Sequence, residues 1–119
     1  MCRSALQRQA NKHGNVKVEL DGRVFDSKRE AARYLHLSML QRAGVISDLR
    51  LQVPFELQPA VVLEGRRKKA MKYVADFVYQ QNGQQVIEDS KSPHLRKHPV
   101  YRQKKHLMMS VLGLAIREV

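Results

Sequence analysis

Asp76, Asp89 and Lys91 carry the chemistry that this sequence offers most directly. Asp76 interrupts the apolar run Tyr73-Val74-Ala75-Asp76-Phe77-Val78-Tyr79, and Asp89 and Lys91 close a second run, Val86-Ile87-Glu88-Asp89-Ser90-Lys91. Between them lies Asn82-Gly83, the dipeptide a tight hairpin favours, because both turn positions need positive φ. With that two-residue loop, Gln81 faces Gln84, Phe77 faces Glu88, Asp76 faces Asp89 and Val74 faces Lys91. Side chains alternate along a strand, so Asp76, Asp89 and Lys91 share one face and Glu88 takes the other. Opposed residues hold their Cβ atoms about 4.5–5.5 Å apart. Two ionised carboxylates at about 4 Å repel by about 4 kcal/mol at an effective dielectric near 20. Lys91 offsets part of that repulsion. A hard divalent cation, Mg²⁺ or Mn²⁺, would offset more, since it prefers carboxylate oxygens. Two plainer arrangements compete: a longer loop that shifts the register and separates the aspartates, or a salt-bridge cluster with no metal.

The elements that must position these residues follow from local signals. Val16–Leu20 and Arg23–Phe25 flank Asp21-Gly22, a second hairpin turn. Ser27, with Glu30 three residues on, is a capping box and starts a helix that Gly44 ends; Ala31, Tyr34, Leu35, Met39 and Leu40 form its expected apolar face. Residues 49–57 alternate as a half-buried strand in which Pro54 points to an edge or a bulge. Strands at 71–79 and 85–91 are followed by a helix from Pro99 that bears Val100, Tyr101, Leu107, Met108, Val111 and Leu112 and ends at Gly113. Residues 114–119 read as a last strand. Hairpin, helix, three strands, helix and strand make an α+β domain with a mixed sheet and helices packed on it. Residues 1–15 read as a basic, flexible tail, and 16–119 as a single domain.

The motif Asp76…Asp89-Ser90-Lys91 resembles that of the PD-(D/E)XK nucleases, with Ala75 where the family more often has proline. Wider blocks support this: Phe25-Asp26-Ser27-Lys28-Arg29-Glu30-Ala31, Leu51-Gln52-Val53-Pro54-Phe55-Glu56-Leu57-Gln58-Pro59 and Tyr73-Val74-Ala75-Asp76-Phe77. They are similar to a small phage and prophage group, the domain of unknown function 1064 family, which is thought to belong to the same superfamily. The resemblance spans residues 16–119 and implies a restriction-endonuclease-like core of helix, three strands, helix and strand. It also implies Mg²⁺- or Mn²⁺-dependent endonuclease activity, with Asp76, Asp89 and the Ser90 carbonyl on the metal and Lys91 orienting the attacking water. Glu30 would complete the acidic cluster, although its place in a capping box accounts for it equally well. Glu88 reads as structural or solvent-facing, and Glu56 as exposed.

The chain has 119 residues, 22 Lys and Arg against 11 Asp and Glu, and a formal net charge of +11. Such a surplus points to a polyanion as partner. Arg66, Arg67, Lys68, Lys69 and Lys72 precede the Asp76 strand in what reads as a loop; Arg96, Lys97, Arg102 and Lys105 follow Lys91. Basic clusters beside the acids suit a DNA backbone laid across them, duplex or branched. With no Trp, a single-strand stacking platform has little support. Cys2 is the only cysteine, which excludes an internal disulfide and a thiolate zinc site, and the five histidines lack ligand spacing. The N-terminus has no apolar core of a secretory signal and no segment approaches a membrane span, so a cytoplasmic protein is expected, inside a bacterial host if phage-encoded. Cutting both strands with so small a domain suggests a homodimer. Two rivals to the nuclease are a non-catalytic nucleic-acid-binding module on the same fold and an interaction protein whose acids are a salt-bridge node.

Overall fold

Asp21 and Gly22 take φ of 53° and 75° and turn the chain at the expected hairpin. Around that turn, β1 (Gln7–Ala10), β2 (Val16–Leu20) and β3 (Arg23–Phe25) form an antiparallel three-stranded sheet. The computed structural model describes the backbone of residues 7–10 and all of residues 16–119. Gln7–Ala10, expected in the flexible tail, pair with β2. The rest of that tail, residues 1–6 and 11–15 with Cys2, lies outside the described residues.

The first helix, α1 (Lys28–Arg42), starts where the capping box predicts. Ser27 Oγ accepts the Glu30 N–H at 3.1 Å, and Gly44, at φ 78°, follows the last turn. Its inward row is Ala31, Tyr34 and Leu37, spaced three apart. Leu35 and Met39, expected on the apolar face, are exposed, because they fall on the far side of that row. Leu37 is fully buried, and its truncation to Ala would cost about 2–5 kcal/mol.

β4 (Ser47–Gln58) is the edge of the main sheet, where Pro54 is tolerated. Where a loop is expected, the chain forms a short arm: β5 (Val61–Leu63) and β6 (Arg66–Lys68), paired across Glu64-Gly65. Both turn residues have positive φ, 52° and 74°, and the β-branched run before them suits a ribbon. β7 (Met71–Gln81) and β8 (Gln84–Asp89) form the Asn82-Gly83 hairpin. A one-turn α2 (Pro93–Arg96) leads into α3 (Pro99–Leu112), which Gly113 ends at φ 67°. β9 (Arg117–Glu118) is much shorter than expected and pairs parallel to β8. The sheet order is β4-β7-β8-β9, antiparallel except at β9, so the fold is α+β with a mixed sheet.

Helices α1 and α3 cover separate apolar clusters of this sheet. Leu37, Ile46, Phe77 and Tyr79 pack under α1, with Leu49 and Leu51 against them. Leu57, Tyr73, Ala75, Val78, Ile87, Tyr101 and Met108 pack with α3, joined by Val53 and Phe55. On α3 the row Tyr101 to Met108 faces in. Val100, Val111 and Leu112, read as part of the apolar side, are exposed. No helix among the described residues is long and apolar enough to cross a membrane.

Candidate active site

The hairpin register is the one that Asn82-Gly83 implies. Gln81 pairs with Gln84, Gln80 with Gln85, and so on to Phe77 with Glu88. The ladder ends at that pair, so the expected Asp76–Asp89 backbone pair is not formed, although the two side chains, one step beyond it, still meet. Asp76 Oδ2 accepts the Ser90 N–H at 2.9 Å, a side chain taking the place of a backbone partner. The Lys91 N–H goes instead to the Val119 carbonyl at 3.3 Å, and the Val119 N–H to the Asp89 carbonyl at 3.1 Å. The expected Val74–Lys91 pair is therefore absent: β8 leaves β7 after Glu88 and continues along the C-terminal strand. Lys91 nonetheless meets the acids through its side chain, with Nζ 3.6 Å from Asp89 Oδ2 and 5.2 Å from the centre of the Tyr101 ring.

Glu88 and Asp89 are both buried and point to opposite faces. Glu88 is structural rather than solvent-facing. Arg33 grips it with two bonds, Nε to Oε1 at 2.8 Å and Nη2 to Oε2 at 2.6 Å, and the Tyr79 hydroxyl donates to Oε2 as well. Asp89 faces α3, where the Tyr73 hydroxyl donates to Oδ2 at 2.5 Å. Its Oδ1 is buried and has no hydrogen-bond partner among the described residues. An orphaned carboxylate oxygen is costly in a folded interior.

Glu30 serves two ends at once. Oε2 accepts the Asp26 N–H at 3.1 Å, which is a capping role one residue before the helix cap, while Oε1 accepts the Gln52 amide at 2.9 Å. Gln52 Nε2 also lies 3.4 Å from Asp76 Oδ1. Capping and membership of the acidic cluster are thus compatible. Burial first, then the Asp76 charge, push the Glu30 carboxyl up to about 8. Burial and the neighbouring Asp76 likewise raise Asp89 to about 8, against the pull of Tyr73 and Lys91. Asp76 is the shared neighbour of both. At neutral pH Glu30 and Asp89 hold protons that ordinary carboxyls would have released.

Gln52 is the residue that sequence reasoning missed. It stands opposite Asp76, between the pairs Leu51–Phe77 and Val53–Ala75, with a left-handed φ of 53° inside a strand. Such a conformation is costly for a residue with a Cβ and tends to mark functional positions. Tyr73 was missed as well. Its place three residues before Asp76 gives no hint that its hydroxyl reaches Asp89 across the hairpin.

Of the basic residues, Lys72 comes near the acids: it lines a cleft of about 430 Å³ together with Asp89 and Lys91. Arg66, Arg67 and Lys68 lie exposed on the β5–β6 arm, with Lys69 just after it. Arg96 is tied to the Lys91 carbonyl at 3.0 Å. With Arg102 and Lys105 it lines a second cleft, where Lys105 pairs with Glu118 at 3.3 Å. Lys97 is exposed at the end of α2. Glu56 is exposed, as expected. Among the described residues, no three His, Cys, Asp or Glu side chains form a ready-made metal cage.

No curated protein and no solved structure matches the chain. A family profile, that of the proteins of unknown function designated DUF1064, matches residues 10–112. That span takes in both aspartates, Lys91, Glu30 and Gln52, and on its strength the chain belongs to the DUF1064 family.

Proposed function

We propose that this protein is a metal-dependent endonuclease that hydrolyses phosphodiester bonds in DNA. The observation that carries the reading is that Asp76 has a second acid on each side, Glu30 and Asp89. The Glu30 and Asp89 carboxyls are raised to about 8, and among the described residues no donor meets the buried Asp89 Oδ1. Acids kept together at this cost are better explained by a cation than by packing. The spacing Asp76…Asp89-Ser90-Lys91 resembles the PD-(D/E)XK motif, and the mixed sheet between two helices is compatible with a restriction-endonuclease-like core.

The donors fit a hard divalent ion, Mg²⁺ or Mn²⁺, which is commonly held by one or two carboxylates and keeps several waters. Asp76 and Asp89 would supply the carboxylate oxygens and Ser90 its carbonyl. When bound, such an ion polarises a phosphoryl oxygen and lowers the pKa of its water. Lys91, beside Asp89 at the rim of the cleft, places a positive charge where negative charge develops on the phosphate. Tyr73 and Gln52 hold Asp89 and Asp76 in position. The exposed cations of the arm, with Lys72, grip the backbone of duplex or branched DNA.

A non-catalytic DNA-binding module is the second reading, favoured by the lack of a three-residue cage among the described residues. Incubating supercoiled, linear and four-way-junction DNA with the protein in Mg²⁺, Mn²⁺ or EDTA separates the two. The nuclease reading expects metal-dependent cleavage by the wild type, and none by Asp89→Asn or Lys91→Ala. Binding without cleavage in either metal would establish the module instead.

A further inference from the structure

The cleft beside the acids has a composition that phosphodiester hydrolysis alone does not need. It measures about 430 Å³ and runs from Asp89 and Lys91 to the start of α3. Val74, Leu95 and Val100 line it, and they are 47%, 37% and 53% exposed. Lys72, Lys104 and His98 also line it, and Asp89 is the only acid among the described residues that do. His98 accepts the Val100 N–H on Nδ1, so the neutral ring carries its proton on Nε2, as a donor.

Apolar walls with cations beside them match one ligand chemistry, a flat base attached to a phosphate. The volume lies within the range of about 300–1,000 Å³ that encloses single small molecules, and far below what a duplex fills. Asp89 and Lys91 belong both to this cleft and to the proposed reaction centre. A nucleotide lying here would therefore be the neighbour of the attacked phosphate rather than a separate effector.

We infer that the Val74–Leu95–Val100 cleft receives one unstacked nucleotide of the DNA, next to the bond that is cut. This rests on the nuclease reading for the bond, but not for the binding. A base enters such a cleft only after leaving the stack, which costs least where it is already unpaired. The cleft thus selects for flaps, branches and splayed ends over continuous duplex. The Tyr101 ring, faced by Lys91, is not free to stack on the base, so the apolar side chains are the sandwich.

The test uses the full chain in EDTA, where no cleavage occurs, with 2-aminopurine at the unpaired nucleotide of a flapped duplex or at the same position fully paired. The expected result is at least tenfold tighter binding of the flapped DNA, with a change in 2-aminopurine emission on binding. In the double variant Leu95→Gln/Val100→Gln, which keeps the charge, the two affinities should come within twofold and the emission change should vanish. Its melting temperature shows that it remains folded, and Val74→Gln provides an independent change to the opposite wall. Equal affinities in the wild type, or a preference that survives both variants, would overturn the inference. Cleavage in Mg²⁺ is read separately, so an inactive protein that still prefers the flap overturns only the nuclease reading.

Discussion

Gln52 and Asp76 face each other where the β4–β7 ladder lapses, and the Gln52 amide reaches both Asp76 and Glu30 from a left-handed backbone. The conformation costs about 1–2 kcal/mol for any residue with a Cβ. Gln52→Ala removes the amide and keeps that cost, whereas Gln52→Gly removes both. Gln52→Gly should therefore be the more stable variant in urea denaturation, by about 1 kcal/mol. A glycine variant less stable than the alanine one would show that the backbone there is unstrained.

The raised carboxyls make the metal-free protein sensitive to alkali. Glu30 and Asp89 release protons near 4 when unfolded but near 8 when folded. Between those values the folded state binds more protons, so stability falls as pH rises from about 4 to about 8. The limiting slope is about 1.4 kcal/mol per pH unit for each carboxyl involved. Asp89→Asn should flatten the fall and hold or raise the metal-free stability. Mg²⁺ should raise the wild-type melting temperature most at the alkaline end, and that of Asp89→Asn much less. Thermal melts across this pH range check both. A metal-free protein that gains stability over the range would contradict the carboxyl cluster.

On the other face, Arg33→Ala leaves Glu88 buried and uncompensated, which should cost about 3–5 kcal/mol. In a Glu88→Gln background the same substitution should cost much less, because no buried charge remains. Glu88→Gln, where folded, should retain cleavage, since Glu88 faces away from Asp89. Chemical denaturation gives the first two results and a plasmid-nicking assay the third.

The arm can be tested by salt. Replacing Arg66, Arg67, Lys68 and Lys69 with Ala should weaken binding to all DNA sequences alike. On a duplex, each lost phosphate contact should flatten the log–log salt dependence by about 0.9. An unchanged slope would place the phosphate grip elsewhere, with Lys72, Arg96, Lys97, Arg102 and Lys105 as the remaining candidates.

Parts of this architecture were legible because they are written in adjacent residues. Ser27 with Glu30 marks the helix start, and Asn82-Gly83 sets the register as far as Phe77 and Glu88, one step short of the aspartates. Glu64-Gly65 carried the same kind of signal for the arm, but the basic run after it suggested a solvated loop. Gln52 left no such trace. Its alternation reads as an exposed strand residue, and its partners Glu30 and Asp76 are 22 and 24 positions away in sequence. Arg33 and Glu88 are 55 apart, and only packing α1 on the sheet brings them together. Lys91 was placed on the right face for the wrong backbone reason, because the C-terminal strand takes over its N–H.

β4 gives Leu49 and Leu51 to the cluster under α1, and Val53, Phe55 and Leu57 to the one under α3. Only Gln52 separates the two groups, and on β7 the same reversal falls between Ala75 and Phe77, at Asp76. Past Asp76, β7 alternates between the clusters, with Phe77 and Tyr79 under α1 and Val78 under α3. Asp76 and Gln52 therefore mark the level at which both strands exchange the faces they bury, and the carboxyls stand where neither apolar cluster claims the side chains.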